Sequence, residues 1–289
     1  MLAAVTSCAE RGSSRAEIIV TTNILGDITR NVVGDAARVT VLMPPNADPH
    51  QFAISARQAA ALERAALVVH NGLGLEAGVR RNVEAAEQAG VPAVAVGAAV
   101  DPIRYRDNDS ADPHFWTDPM RVRKAAEVIS AQVLEHVGGI DAGAVRAATD
   151  RYLTELDTLD GWMRERFATI APEQRKLVTN HHVFGYLAER FGFEVIGAVI
   201  PGGTTLASPS ASDLAGLAGT VRAAEVRAIF ADSSQSDRLA RVLAEQAGLT
   251  VRVISLYSES LTEPGGGAGT YLDMMRANTE AIARGLTGI

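Results

Sequence analysis

The residues with the greatest chemical capacity in this chain are six histidines, at positions 50, 70, 114, 136, 181 and 182, set against a single cysteine, Cys8. Imidazole is the commonest protein ligand for borderline divalent metals, whereas one cysteine excludes an intramolecular disulfide and any thiolate-rich metal site. His50 ends the run Pro44-Pro45-Asn46-Ala47-Asp48-Pro49-His50, and His114 lies in Asp112-Pro113-His114-Phe115-Trp116-Thr117-Asp118-Pro119. Both are loops that proline stiffens. His181 follows a β-branched run at 176–179 and precedes a helical pattern. Any one of the three alone reads as a hydrogen-bonded loop residue. Three on three loops at the same topological edge read as a converging metal site, with a fourth tetrahedral position left for a carboxylate or water. His70 ends an apolar run and His136 falls late in a helical stretch, so both read as structural. Adjacent side chains do not face the same way, so only one of His181 and His182 binds.

Such a trio needs rigid elements behind it, and the pattern along the chain supplies them. Short apolar runs at 18–22, 38–43, 67–70 and 93–96 alternate with helical spacing at 24–33, 55–63 and 76–88, with Asn23, Ser55 and Asp118 at expected helix N-caps. From 119 to 169 apolar residues recur only at helical spacing, as in Leu153, Leu156, Leu159 and Trp162, which predicts two long helices broken at Gly138-Gly139. Strands at 176–179, 194–198, 228–231 and 251–255 then alternate with helices at 183–191, 210–223, 236–247 and 271–284. The expected fold is therefore α/β: two βα lobes with parallel sheets, at 17–140 and 171–289, joined by a long rigid helix at 141–170. A ligand belongs in the cleft between the lobes, beyond the carboxyl ends of the strands.

Composition agrees. The 289 residues are 47% hydrophobic and 21% charged, enough to bury a sizeable core. The formal net charge of −7, with no Lys/Arg block, speaks against nucleic acid and for a cation or small solute. Aromatics at 5% are too few for a base- or sugar-stacking surface. No stretch approaches the ~18 consecutive apolar residues of a membrane span.

These residues resemble the metal-binding solute receptors of bacterial zinc and manganese ABC importers, solute-binding protein family 9. The likeness is carried by Pro44-Pro45 with His50, the run Val68-Val69-His70-Asn71-Gly72-Leu73-Gly74-Leu75-Glu76, the segment from Asp112 to Pro119, His181-His182-Val183-Phe184-Gly185-Tyr186, and Tyr271-Leu272-Asp273-Met274-Met275. The resemblance implies one interlobe metal site with His50, His114 and His181 as ligands. His181 is chosen because the family's ligand stands three residues before the aromatic that is Phe184. Counting back from Tyr271 puts the fourth ligand at Glu259, where many members carry aspartate, with Asp232 as a second acidic candidate. Three imidazoles and a carboxylate favour Zn²⁺, with Mn²⁺ as the alternative. The segment 101–111 is short and lacks the histidine-rich loop of many zinc receptors.

The implied function is capture of the ion outside the cytoplasm and delivery to an ABC permease by a monomer, loaded directly or from a metallochaperone. No enzymatic activity is expected: the sequence lacks an H-E-x-x-H helix, a G-x-S-x-G elbow and a Walker-type loop. A zinc hydrolase would require Glu259 as a general base rather than a ligand. Residues 1–16 carry Val5-Thr6-Ser7-Cys8, which resembles a lipobox and implies a lipid anchor at Cys8 as the membrane attachment, or else a periplasmic protein. Affinity for the ion is expected to fall as pH drops through the ordinary imidazole range near ~6.5.

Overall fold

The structure is a computed structural model that describes residues 16–105, 109–248 and 251–288. Cys8 lies outside the described residues. In chain order the first half runs β1 (Glu17–Val20), α1 (Asn23–Val33), β2 (Arg38–Val41), α2 (Ala56–Leu62), β3 (Leu67–His70), α3 (Arg80–Gln88) and β4 (Ala93–Ala95). Two long helices follow, α4 (Pro119–His136) and α5 (Ala142–Ala168). The second half runs β5 (Lys176–Thr179), α6 (Gly185–Phe191), β6 (Glu194–Ala198), α7 (Ala211–Ala223), β7 (Ala228–Asp232), α8 (Arg238–Ala247), β8 (Arg252–Leu256) and α9 (Tyr271–Thr287).

The strands form two four-stranded parallel sheets, ordered β2-β1-β3-β4 and β6-β5-β7-β8. In each, the chain steps from its first strand to one side and then returns to the other. That reversal opens a crevice at the carboxyl ends of the two central strands. Among the described residues no helix is long and apolar enough to cross a membrane.

The expected elements are present, and their ends carry the corrections. Ser55 caps α2 in a reciprocal box with Gln58, and the Asp118 side chain caps α4 through the Met120 N–H. Asn23 does not cap α1: Thr22 does, accepting from the Leu25 N–H, and Asn23 is the first helical residue. The helix expected from 76 begins only at Arg80. Glu76 instead turns inward, where its carboxyl group accepts from Thr21 Oγ1 at 2.6 Å, the Asn71 N–H at 2.6 Å and the Gly72 N–H at 3.1 Å. These three donors, two local and one 55 positions away, outcompete one more turn of helix.

Helix α5 has 27 residues and spans about 40 Å at 1.5 Å per residue. Asp141 caps its start through the N–H groups of Gly143 and Ala144. Its buried stripe, Val145, Ala148, Tyr152, Leu156, Leu159, Met163 and Phe167, follows the 3.6-residue period. All of it but Ala148 belongs to the largest core, which runs without a break from β1, α1 and α4 to α6 and α9. Polar ties reinforce it: Arg190 of α6 reaches Asp160 at 2.9 Å through two nitrogens, and Arg166 grips Glu280 of α9 at 2.9 and 3.1 Å. Two smaller cores fill the outer faces, one under α2 and α3, the other under α7 and α8. Leu156 is fully buried in the shared core. Leu156→Ala is expected to cost about 2–5 kcal/mol of unfolding free energy, read by urea denaturation of the metal-free chain. A loss below about 1 kcal/mol would show that α5 does not tie the halves together.

Candidate metal centre

Two of the four candidate residues stand on the same tripeptide. Asp48-Pro49-His50 follows β2 and Asp112-Pro113-His114 precedes α4. In each the aspartate Oδ1 accepts the histidine's own backbone N–H, at 2.8 Å for His50 and 2.9 Å for His114. This is an Asx turn, rigidified by the proline's fixed φ, and it aims the imidazole independently of either sheet. At His114 the same Asp112 oxygen also lies 2.7 Å from Nδ1. A carboxylate partner assigns the proton to Nδ1 and leaves the Nε2 lone pair free. Tyr105 donates its hydroxyl to Asp112 at 3.1 Å, and burial followed by the charge of Asp112 pushes its pKa up, so the phenol stays protonated.

His181 follows β5 after a single residue, Asn180. Its carbonyl accepts from Thr179 Oγ1 at 2.6 Å, and the next N–H, of His182, bonds the Gly202 carbonyl at 3.1 Å. The two side chains diverge as expected. His181 is completely buried, while His182 is half-buried with its ring 6.3 Å from that of Tyr105. His70 sits half-buried at the end of β3 and His136 in the last turn of α4, both away from the cluster.

Glu259 lies on the loop after β8, and that loop is pinned from both halves of the chain. Asn278 of α9 bonds both the N–H and the carbonyl of Tyr257 at 2.9 Å. Asp232 at the end of β7 accepts from the backbone and hydroxyl of Ser258. From the other side, Trp116 Nε1 donates to the Ser258 carbonyl at 2.8 Å, and Asn23 both donates to Ser260 Oγ at 2.7 Å and accepts from the Leu261 N–H at 2.9 Å. Asn46 N–H completes the set on the Leu261 carbonyl at 2.9 Å. Asn23, expected as a helix cap, therefore works as a loop brace.

These segments bring His50, His114, His181 and Glu259 together, all buried, with one nitrogen or oxygen of each within 4.8 Å of the others. The Nε2 atoms of His50 and His114 are 3.3 Å apart, and His181 Nε2 is 2.9 Å from Glu259 Oε1. Glu259 Oε1 lies 3.6 Å from His114 Nε2, and Oε2 lies 3.8 Å from His50 Nε2. A tetrahedral ion with ligand bonds of about 2.1 Å has edges of about 3.4 Å, so the set is close to closing around one ion. Asp232 is not part of the cluster; its oxygens are taken by Ser234 and Ser258.

Electrostatics make the same point. Neither oxygen of Glu259 and neither nitrogen of His181 has an aligned hydrogen bond, although one pair stands 2.9 Å apart. A buried carboxyl and imidazole without partners cost free energy that a divalent cation bonded to both would remove. Burial pushes the Glu259 pKa well up, opposed by His114 and assisted by Asp232, Asp48 and Asp112. Burial, with the neighbouring imidazoles, lowers His50 to about 2, and burial also lowers His181. The nitrogens of His50 and His181 are thus neutral lone-pair donors at neutral pH, and three imidazoles with one carboxyl form a borderline donor set that fits Zn²⁺. The sequence reading assigned no role to Asp48, Asp112 or Tyr105. The repeated Asp-Pro-His tripeptide was the available signal for the first two.

A family model described as the periplasmic component A of the zinc-uptake complex matches residues 18–285. The manganese-binding lipoprotein MntA of Bacillus subtilis is 30% identical, covering 97% of this chain and 92% of its own. The protein of the same name from Halalkalibacterium halodurans is 27% identical, covering 94% and 88%. Among solved structures, the periplasmic zinc-binding protein TroA of Treponema pallidum superposes with a TM-score of 0.87 at 26% identity, covering 94% of this chain and 99% of that one.

The raised pKa of Glu259 fixes a sign for stability. The folded metal-free chain holds a proton that the unfolded chain releases above about 4.3. This stabilisation is complete below that value and is lost as pH rises through the folded pKa. Glu259→Gln has no such loss, so metal-free Glu259→Gln should gain in melting temperature over the parent as pH is raised from 5 to 8. A constant difference between the two across that range would count against a protonated, buried Glu259.

Proposed function

The chain belongs to the family of zinc-uptake complex component A, and from that premise we propose that it captures Zn²⁺ at His50, His114, His181 and Glu259. Proteins of this family are substrate receptors of metal ABC importers and not enzymes, so the chain is a metal-binding receptor working outside the cytoplasmic membrane with an ABC permease as its partner. The ion is cargo. The observation that carries the reading is the buried three-histidine, one-carboxyl cluster whose oxygens and His181 nitrogens lack hydrogen-bond partners.

Zn²⁺ is preferred to Mn²⁺ on donor chemistry, because imidazole nitrogens favour the ion later in the Irving–Williams order. Mn²⁺ is kept as the second reading, since similar proteins are named for manganese. The finer assignments are a lipid anchor at Cys8, a monomeric receptor, loading directly or from a metallochaperone, and lobes at 17–140 and 171–289 around the helix at 141–170.

The ion takes its electron pairs from neutral imidazoles and from Glu259 after that residue releases its proton. Burial lowers His50 to about 2 and also lowers His181, so these two imidazoles favour the neutral, ion-binding form. Glu259, whose pKa burial raises, must release its proton to bind the ion. Affinity should rise with pH across the neutral range, and this slope should flatten in Glu259→Gln.

Competitive titration of chelator-stripped protein with Zn²⁺ and Mn²⁺ tests the reading. One tightly held Zn²⁺ per chain that excess Mn²⁺ does not displace is the expected outcome, and tight Mn²⁺ with weak Zn²⁺ would overturn the metal choice. His50→Ala, His114→Ala and His181→Ala should each weaken binding more than about 100-fold, beyond the 10–100-fold typical of residues that only orient a ligand, as expected for Asp112→Asn. His182→Ala should weaken it little. Equal losses at His181 and His182 would refute the ligand assignment.

A further inference from the structure

Asp48 carries more than the turn that aims His50. Its Oδ1 holds the His50 N–H, and its Oδ2 accepts three further donors: Gln51 Nε2 at 2.8 Å, Thr205 Oγ1 at 2.5 Å and Gln235 Nε2 at 2.8 Å. Gln51 Nε2 also reaches Thr205 Oγ1, at 3.2 Å. Thr205 lies on the loop between β6 and α7, and Gln235 on the loop between β7 and α8. One buried carboxyl group thus ties the His50 loop to two loops of the opposite sheet.

These bonds differ from the other ties across the cleft. Trp116, Asn23 and Asn46 all grip the segment from Ser258 to Leu261, and Tyr271 bonds Asp27 and the Trp116 carbonyl. Those contacts hold Glu259 to the same half as His50 and His114, while Tyr186 donates to the Asp112 carbonyl at 2.6 Å and Tyr105 to the His182 carbonyl at 3.3 Å, tying the His114 loop to the segment after β5. Among the described residues, every hydrogen bond from the loops at 199–210 and 233–237 to the N-terminal half ends on Asp48 or Gln51. The apolar packing of α7 and α8 belongs to the outer core, separate from the shared one. The far rim of the cleft is thus fastened to the His50 loop at a single polar node.

We propose that Asp48 is a positioning residue for His50, and that its bonds to Thr205 and Gln235 form a latch setting how fast the bound ion leaves. The inference rests on the metal-receptor reading above. An ion bonded to His50 cannot depart until the His50 loop separates from the rim, and that separation requires the Asp48 bonds to break. The same bonds are formed in the metal-free chain, so the latch gates entry as well as exit, and release is the step that reports it.

Thr205→Val removes the hydroxyl at constant shape, and Thr205→Ser retains it. Each protein is loaded with Zn²⁺ and, in parallel, with Mn²⁺, and release is followed in a stopped-flow instrument after mixing with excess fluorescent chelator. Thr205→Val should release the ion about 10-fold faster, as loss of one hydrogen bond to a charged group allows, and should take it up no more slowly than the parent. Gln235→Leu should shift release the same way from the other loop, and Thr205→Ser should restore the parental rate. A purely structural role would lower the metal-free melting temperature and leave release unchanged. Parental release rates in both Thr205→Val and Gln235→Leu would overturn the latch while leaving the receptor intact. A parent chain that holds neither ion would overturn the receptor reading, and the latch with it.

Discussion

A carboxyl group buried to 1% exposure among three imidazoles, with no hydrogen-bond donor aligned on it, is the constraint on which the structure turns. Folding alone does not reward that arrangement, because an isolated buried carboxyl must stay protonated or lose its solvation without return. A divalent ion would supply the missing partner: with the proton released and the charge neutralised, the four groups would become ligands of one centre. The metal-free geometry already approaches the required edges, so little rearrangement is left for the ion to drive.

That degree of preorganisation comes from the backbone rather than from contacts among the ligands. Two Asp-Pro-His turns orient His50 and His114 locally, and α5 with its shared core fixes the sheets relative to one another. Glu259 belongs in sequence to the second half, yet the first half grips its loop through Asn23, Asn46 and Trp116. Three of the four groups therefore sit on segments held by the first half, and His181 on the segment that follows β5.

The surroundings also give the site its sign. Asp48, Asp112 and Asp232 are buried close by, each holding neutral donors rather than cationic side chains in its nearest bonds. Their negative potential favours a cation and raises the cost of a second negative charge on Glu259 when no ion is present. The same residues that orient the ligands thus bias the centre toward a divalent ion.

Much of this was legible in the residues themselves. Strand and helix periodicity located the two βα halves and the long helix, since burial of one face leaves a period of 2 or 3.6 in any sequence. Histidines in proline-stiffened loops suggested a converging trio, and the family resemblance, through the places before Phe184 and Tyr271, implied the four side chains that meet. What the sequence could not determine depends on partners far apart in the chain. Asn23 reads as a helix cap until Leu261, 238 positions away, is seen to need its oxygen. Glu76 reads as the start of a helix until Thr21 and the turn at Asn71 claim its carboxyl group. The pKa of Glu259, and hence the pH at which the ion is held, follows from burial and from three aspartates on three separate segments. A linear pattern records which face of an element is apolar; it does not record which distant polar group completes a bond, because that pairing exists only once the chain has closed on itself.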